Sequence, residues 1–264
     1  MHETSLLKMQ AFRDTYLVSA SVPLRVLDIG SAAVEGQFSY RTLFEGPSFE
    51  YSGADLAPGF NVDVVLEDPH RWIEIATSSI DVVISGQMLE HDPYFWVTVG
   101  EIGRVLRPGG WCCIVAPSRG PAHFYPLDCW RFYPDAGAAL MTFGGMEVLE
   151  TWVEPGSFRS RPGVEWGDNV TVGRLPEMDE SSHRRHLERL SLVAATLPER
   201  PLPHYSSLRG PAMVEYERMT RSGVLRWRPY LLRKSISHVK WYVWNSASPR
   251  WRSRLTRLRS GAPS

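Results

Sequence analysis

The run Val26-Leu27-Asp28-Ile29-Gly30-Ser31 constrains this chain more than any other stretch. Apolar residues lead into one acid, a glycine and small side chains. That order reads as a buried strand ending in a tight turn that opens a helix. In open α/β sheets, ligands bind at the carboxyl ends of the strands. A dinucleotide-binding turn needs three glycines, so that backbone can approach a pyrophosphate at a helix N-terminus. Only Gly30 is in place; Ala32 and Val34 hold the later glycine positions, and Gly36 comes late. The Asp28 carboxylate would repel a pyrophosphate and favour a cationic ligand group.

The rest of the chain repeats the strand signal. Residues 3–20 space Leu6, Leu7, Met9, Phe12, Tyr16 and Leu17 as one face of a helix. Strands are expected over 24–29, 49–54, 62–66, 80–85 and 111–116, with a helix around 96–106. Arg107-Pro108-Gly109-Gly110 should end that helix in a type II turn, with Pro second and Gly third. A helix over about 135–143, strands near 146–153 and 169–172, and a polar helix over 178–197 follow. Residues 198–203 read as a linker. Strands apolar on both faces and alternating with helices indicate a parallel, doubly wound α/β sheet.

Bulk properties exclude several classes. The three cysteines argue against a disulfide framework, and Cys112 and Cys113 should point to opposite faces of one strand. No Cys-x-x-Cys or His-Glu-x-x-His spacing occurs, so no metal is expected. A signal peptide and a membrane-length apolar run are not seen, which makes the cytoplasm the expected location. The net charge of zero hides an asymmetry: residues 205–264 carry 13 Lys and Arg against 2 Glu, a net of +11, which leaves −11 on 1–204.

Spacing narrows the reading. Val26-Leu27-Asp28-Ile29-Gly30 is followed by Asp55, by Glu67-Asp68-Pro69, and by Ile80-Asp81-Val82-Val83-Ile84-Ser85. Leu89-Glu90-His91 and Glu101-Ile102-x-Arg104-Val105-Leu106-Arg107-Pro108-Gly109-Gly110 complete the set. This constellation resembles the class I S-adenosylmethionine-dependent methyltransferases, in particular the small-molecule group with Leu-Glu-His and Arg-Val-Leu-x-Pro-Gly-Gly signatures. The resemblance covers about residues 24–155. It implies a Rossmann-like sheet of seven strands, order 3-2-1-4-5-7-6, with the last antiparallel. It also implies a catalytic domain over 1–175 and a helical extension over 176–264. The implied cofactor is S-adenosyl-L-methionine, with Asp28, Gly30 and Ser31 at its methionine end. Asp55, with Leu56 beside it, would bind the ribose. Glu67 and Asp68 would lie near the adenine, and Gln87 would face cofactor and acceptor.

Residues 117–135 are rich in aromatic, Pro and charged side chains. The Gly-Pro-x-His and Tyr-Pro-x-Asp-Cys-Trp-Arg-Phe-Tyr-Pro-Asp patterns, with Trp166-Gly167-Asp168 later, are similar to methyltransferases associated with saccharide and surface-polysaccharide genes. Aromatic faces beside polar groups suit a polyhydroxyl acceptor, which makes Tyr125, Trp130, Arg131 and Tyr133 the candidate acceptor residues. The competing reading is an aromatic lid packed on the sheet. A sugar hydroxyl is weakly acidic, so a general base helps; His123 is the first candidate and His91 the second. Asp128 would orient such a histidine or bind a hydroxyl. The expected reaction is O-methylation of a sugar hydroxyl in a glycan precursor or glycosylated metabolite. The alternatives are N-methylation of an amino sugar or small amine, and a non-catalytic binding protein on the same fold.

The tail mixes Trp227, Tyr230, Trp241, Tyr242, Trp244 and Trp251 with ten Lys and Arg, and residues 230–244 could form a helix. Packing of these aromatics on the acidic body is the first reading. Contact with an anionic membrane surface is the second, and nucleic acid a distant third.

Overall fold

A computed structural model describes residues 2–17, 22–123, 126–154, 166–198, 202 and 211–221. Fourteen residues of helix α1 (Glu3–Tyr16) precede strand β1 (Leu24–Ile29), followed by β2 (Phe49–Asp55), β3 (Val64–Val65) and β4 (Ile80–Gly86). Helix α2 (Phe95–Val105) runs directly into β5 (Leu106–Ala116). Then come α3 (Pro134–Phe143), β6 (Glu147–Val153), β7 (Asn169–Arg174), α4 (Glu180–Ala194) and α5 (Pro211–Arg221).

The seven strands form one sheet in the order β3-β2-β1-β4-β5-β7-β6. The first five are parallel, and β7 runs antiparallel to both β5 and β6. This is the expected doubly wound architecture. The central strands are buried on both faces, which explains their continuous Val and Ile content. On one face Leu27, Val83, Cys112 and Ile114 pack with Ile102 of α2 and Met141 of α3. On the other, Val26, Ile84, Cys113 and Val115 pack with Met9 and Phe12 of α1 and with Tyr40. Cys112 and Cys113 therefore do face opposite ways, as strand alternation requires.

Local chemistry sets the helix ends. Pro134 opens α3 at a position where its missing N–H has no partner to lose. The Asp179 side chain caps α4 by accepting the Ser182 N–H at 2.7 Å. At Arg107–Gly110 the expected stop takes another form. Ile80 pairs with Leu106 and Val82 with Trp111, so residues 107–110 bulge out of β5 opposite Asp81, with Gly109 at φ +80°. Asp81 anchors the bulge by accepting from Arg107, and it also takes the Arg25 N–H at 2.8 Å.

One expectation fails at β1. No helix opens after Gly30; the chain stays irregular until a short 3-10 turn over Tyr40–Leu43. Hydrogen bonds to the β2 end and the loop beyond it hold this segment in its irregular path. Ala32 N–H donates to Asp55 Oδ2 at 2.9 Å and Ala33 N–H to Phe60 O at 3.1 Å, so they are bonded across to the β2 end.

The chain divides into two compact units, 1–200 and 201–264. Helix α4 packs in the first unit, with His186 Nε2 3.2 Å from Gly103 O. The dividing point lies within the expected 198–203 linker. Of the second unit, α5 and Leu202 are described; the expected helix at 230–244 and the aromatic tail lie outside the described residues.

Candidate active site

The carboxyl ends of β1 to β5 surround a cleft of about 790 Å³. At one end Gly30, Asp55 and Leu56 line it, with Leu66, Pro69 and His70 beyond β3. Gly30 has φ +76°, and a Cβ there would stand 2.4 Å from Met88 Cγ, so only glycine lets the backbone form this wall. Asp55 holds the wall in place: its Oδ2 accepts from Ala32 N–H and its Oδ1 from Leu56 N–H at 2.7 Å. Each oxygen keeps a second lone pair for a hydroxyl donor. His70 is buried and bonded to Asp92 Oδ1 at 2.8 Å, and Asp92 Oδ2 accepts from Thr98.

Gln87, in mid-cleft, takes a left-handed backbone at φ +59°. Non-glycine residues held this way cluster at functional sites. Its N–H donates to Val115 O at 2.9 Å and its Nε2 to Asp168 Oδ1 at 3.2 Å. Asp168 is fully buried and also receives Lys8 Nζ at 2.9 Å; His2 Nε2 lies 3.4 Å from it.

The other end of the cleft carries a cluster of titratable side chains. Glu90 and His91 lie on a 3-10 turn after β4, and His123 on the loop after β5. The His91 and His123 rings meet edge to face with centroids 4.8 Å apart, and Trp166 lies 4.6 Å from His123. A carbonyl can only accept, so His91 Nδ1 donates to Leu127 O at 2.5 Å. This sets the tautomer and turns Nε2 toward Glu90 Oε1, 3.6 Å away. Burial lowers the His91 pKa. Burial also pushes Glu90 up to about 8. Its side chain is fully buried, and neither carboxylate oxygen has a hydrogen-bond partner on another described residue. Asp128 accepts the His123 N–H at 2.7 Å, and Oδ2 stands 3.5 Å from His123 Nδ1. Hydrogen bonds from Arg131 hold Asp128 down to about 2.

The structure brings together Gly30, Asp55, Leu56, Gln87, His91 and His123 of the expected residues, with Asp128 directly behind His123. Others are placed differently. Asp28 does not line the cleft; it is buried behind the turn and accepts the Tyr51 hydroxyl at 2.6 Å, with its pKa pushed by burial to about 7. Ser31 is buried against Asn61 O. Glu67 and Asp68 are exposed and outside the lining, because Asp68 turns back to accept the His70 N–H. Trp130 packs edge to face on Phe95 and donates to Asp92 O. Arg131 is committed to Asp128, Trp130 O and Pro121 O. Tyr133 lies at the start of α3, two-thirds exposed. None of these three lines the cleft, and Tyr125 lies outside the described residues. Among the described residues, Trp166 brings an indole to the acceptor end. Sequence reading quoted Trp166 and Glu90 within motifs without giving them roles, and it passed over His70 and Asp92, which sit in loops without a recurring pattern.

A methyltransferase-domain family matches residues 46–114. This match and the fold support a methyl-transferring enzyme with S-adenosylmethionine as its cofactor. Among solved structures, the chain is similar to 1,6-didemethyltoxoflavin-N1-methyltransferase of Burkholderia thailandensis, crystallised with bound 1,6-didemethyltoxoflavin and S-adenosylhomocysteine. The two share 18% identity over 66% of this chain and 80% of that one, with a TM-score of 0.51. Weaker similarity reaches the CurJ carbon methyltransferase, with 13% identity, 66% and 54% coverage and a TM-score of 0.47. The [4+2]-cyclase SpnF gives 14% identity, 65% and 82% coverage and a TM-score of 0.48. No curated protein matches the chain.

Proposed function

We propose that the protein is an O-methyltransferase acting on a sugar hydroxyl of a glycan precursor or glycosylated metabolite. The observation that carries this reading is one cleft with two chemically different ends. Gly30, Asp55 and Leu56 offer a nucleoside wall at one end, and His91, His123 and Trp166 line the other. A cleft of this volume has room for a nucleoside and a second ring-sized molecule.

S-adenosylmethionine, when bound, supplies a methyl group activated by its sulfonium. The chain's own residues align the acceptor and exclude water. Asp55 accepts from the ribose hydroxyls, and Gln87 stands between the two ends. Trp166 offers an apolar face to a sugar ring. His123, oriented by Asp128, takes the acceptor proton, with His91 beside it; the lowered pKa of His91 keeps that ring neutral at pH 7.

The test is an acceptor panel of sugar nucleotides, glycosylated metabolites, amino sugars and small amines, with isotopically labelled methyl donor. The methylated atom is then located by NMR. Label on a sugar oxygen supports the proposal. Label only on nitrogen moves the assignment to amine methylation. Cofactor binding with no transfer to any acceptor supports a non-catalytic binding protein instead. Among the described residues no helix is long and apolar enough to cross a membrane. The membrane reading of the tail is a separate proposal, for which co-sedimentation with anionic vesicles is the direct measurement.

A further inference from the structure

We propose that Glu90, His91 and His123 form a binding site for one divalent transition-metal ion of the zinc class at the acceptor end of the cleft. One carboxylate oxygen and one ring nitrogen from each histidine lie within 4.8 Å of one another. Glu90 and His91 follow β4, His123 follows β5, and the two strands are neighbours in the sheet. Topology thus joins residues that are 32 positions apart in sequence.

Two imidazoles and a carboxylate are a donor set for zinc and its first-row neighbours, whereas magnesium and calcium favour oxygen alone. Three protein ligands leave coordination positions open, as in catalytic zinc sites. The surroundings fit the same reading. Metal-bound histidines usually donate their other N–H to a carbonyl or carboxylate. His91 Nδ1 donates to Leu127 O, and the Asp128 carboxylate stands beside His123 Nδ1.

The independent observation is Glu90. Its side chain is fully buried, its oxygens have no hydrogen-bond partner on another described residue, and they face the two imidazoles. A buried carboxylate left in that condition is costly unless something pairs with it. Arg131 attracts Glu90 electrostatically but does not hydrogen-bond it; its terminal nitrogens bond Asp128, Trp130 O and Pro121 O. A cation between Glu90 and the imidazoles supplies the missing partner.

The catalytic consequence rests on the proposed function. A cation there holds the acceptor hydroxyl and makes its proton more acidic. The O–H proton passes to solvent water, the methyl carbon–sulfur bond breaks and a carbon–oxygen bond forms. In the loaded protein the imidazoles are ligands; in the metal-free protein they are bases.

The experiment uses untagged, full-length, chelator-stripped protein. It is titrated with Co²⁺ by visible absorption and with Zn²⁺ by competition against an indicator. One saturable equivalent is expected, with affinity at least about tenfold weaker in His123→Asn and in Glu90→Gln. His183→Asn, a control on α4 outside the cleft lining, should bind like the unaltered protein. Circular dichroism identifies any variant that misfolds, and Glu90→Asp, which keeps the charge, is then the second probe and should retain binding. Absence of a saturable Co²⁺ signal, or equal binding by the site variants, overturns the proposal. So does loss confined to His183→Asn. Cofactor binding is read separately by calorimetry, so metal binding without cofactor binding sinks the functional reading and leaves this site standing.

Discussion

Lys8 Nζ stands 2.9 Å from Asp168 Oδ2 and 2.7 Å from Glu154 Oε2, which ties α1 to the segments flanking β6 and β7. Asp168 also takes Gln87 from the cleft. The first helix is therefore one hydrogen bond removed from the active-site wall. Removing one partner of a buried pair leaves an uncompensated charge, so Lys8→Met should cost about 3–5 kcal/mol in chemical denaturation. The double variant Lys8→Met with Asp168→Asn should recover part of that loss. Additive losses would show that the two groups act independently.

Gly30→Ala meets two obstacles, a positive φ and Met88. The backbone term alone is worth about 1–3 kcal/mol. Met88→Gly in the same protein removes both the Cγ and the Cβ that the new methyl would meet, at 2.4 and 2.6 Å, but not the dihedral, so stability returns only in part. Cofactor affinity, read by calorimetry with S-adenosylhomocysteine, should fall in both variants, because the wall itself has moved.

Asp55→Ala should weaken S-adenosylmethionine binding by about 10- to 150-fold, which corresponds to losing a hydrogen bond to a charged acceptor at about 1.5–3 kcal/mol. Asp55→Asn, which keeps an acceptor, should fall between. Isothermal calorimetry measures both. Equal affinity in all three proteins would remove Asp55 from the cofactor site.

The pH behaviour of Asp28 has a definite sign. Its folded pKa, about 7, is above the model-compound 3.8, so folding favours the protonated form. Stability attributable to this group is fully present below about pH 4 and is lost as the pH rises toward 7, by an amount on the order of 4 kcal/mol. Asp28→Asn mimics the protonated state and can still accept from Tyr51. Its melting temperature should match the unaltered protein at acid pH and exceed it at pH 8. Parallel curves across that range would contradict the buried, raised carboxyl.

The sequence was most informative where local pattern and burial agree. Val- and Ile-rich runs located β1, β4 and β5, because strands buried on both faces leave little room for polar residues. The sheet order was legible only through the family resemblance. Asp55 and Gln87 were legible as cleft-lining positions because they stand at strand ends. Asp28 stands two residues before Gly30 but still inside β1, where its side chain is buried and takes the Tyr51 hydroxyl instead of lining the cleft. The Glu90–His123 encounter is set by which strands are adjacent, and no linear spacing records that. Trp130, Arg131 and Tyr133 looked like acceptor residues by composition, yet their partners are Phe95, Asp128 and the α3 start.

The placement of the three cysteines has a practical consequence. Cys112 and Cys113 are fully buried on opposite faces of β5, while Cys129 is partly exposed and its N–H is bonded to Glu90 O. A bulky maleimide fluorophore should therefore modify the native protein at one place, on the loop over the acceptor end. The natural sequence comes ready for single-site labelling, and emission from that dye would report acceptor-loop movement in real time without any engineered cysteine.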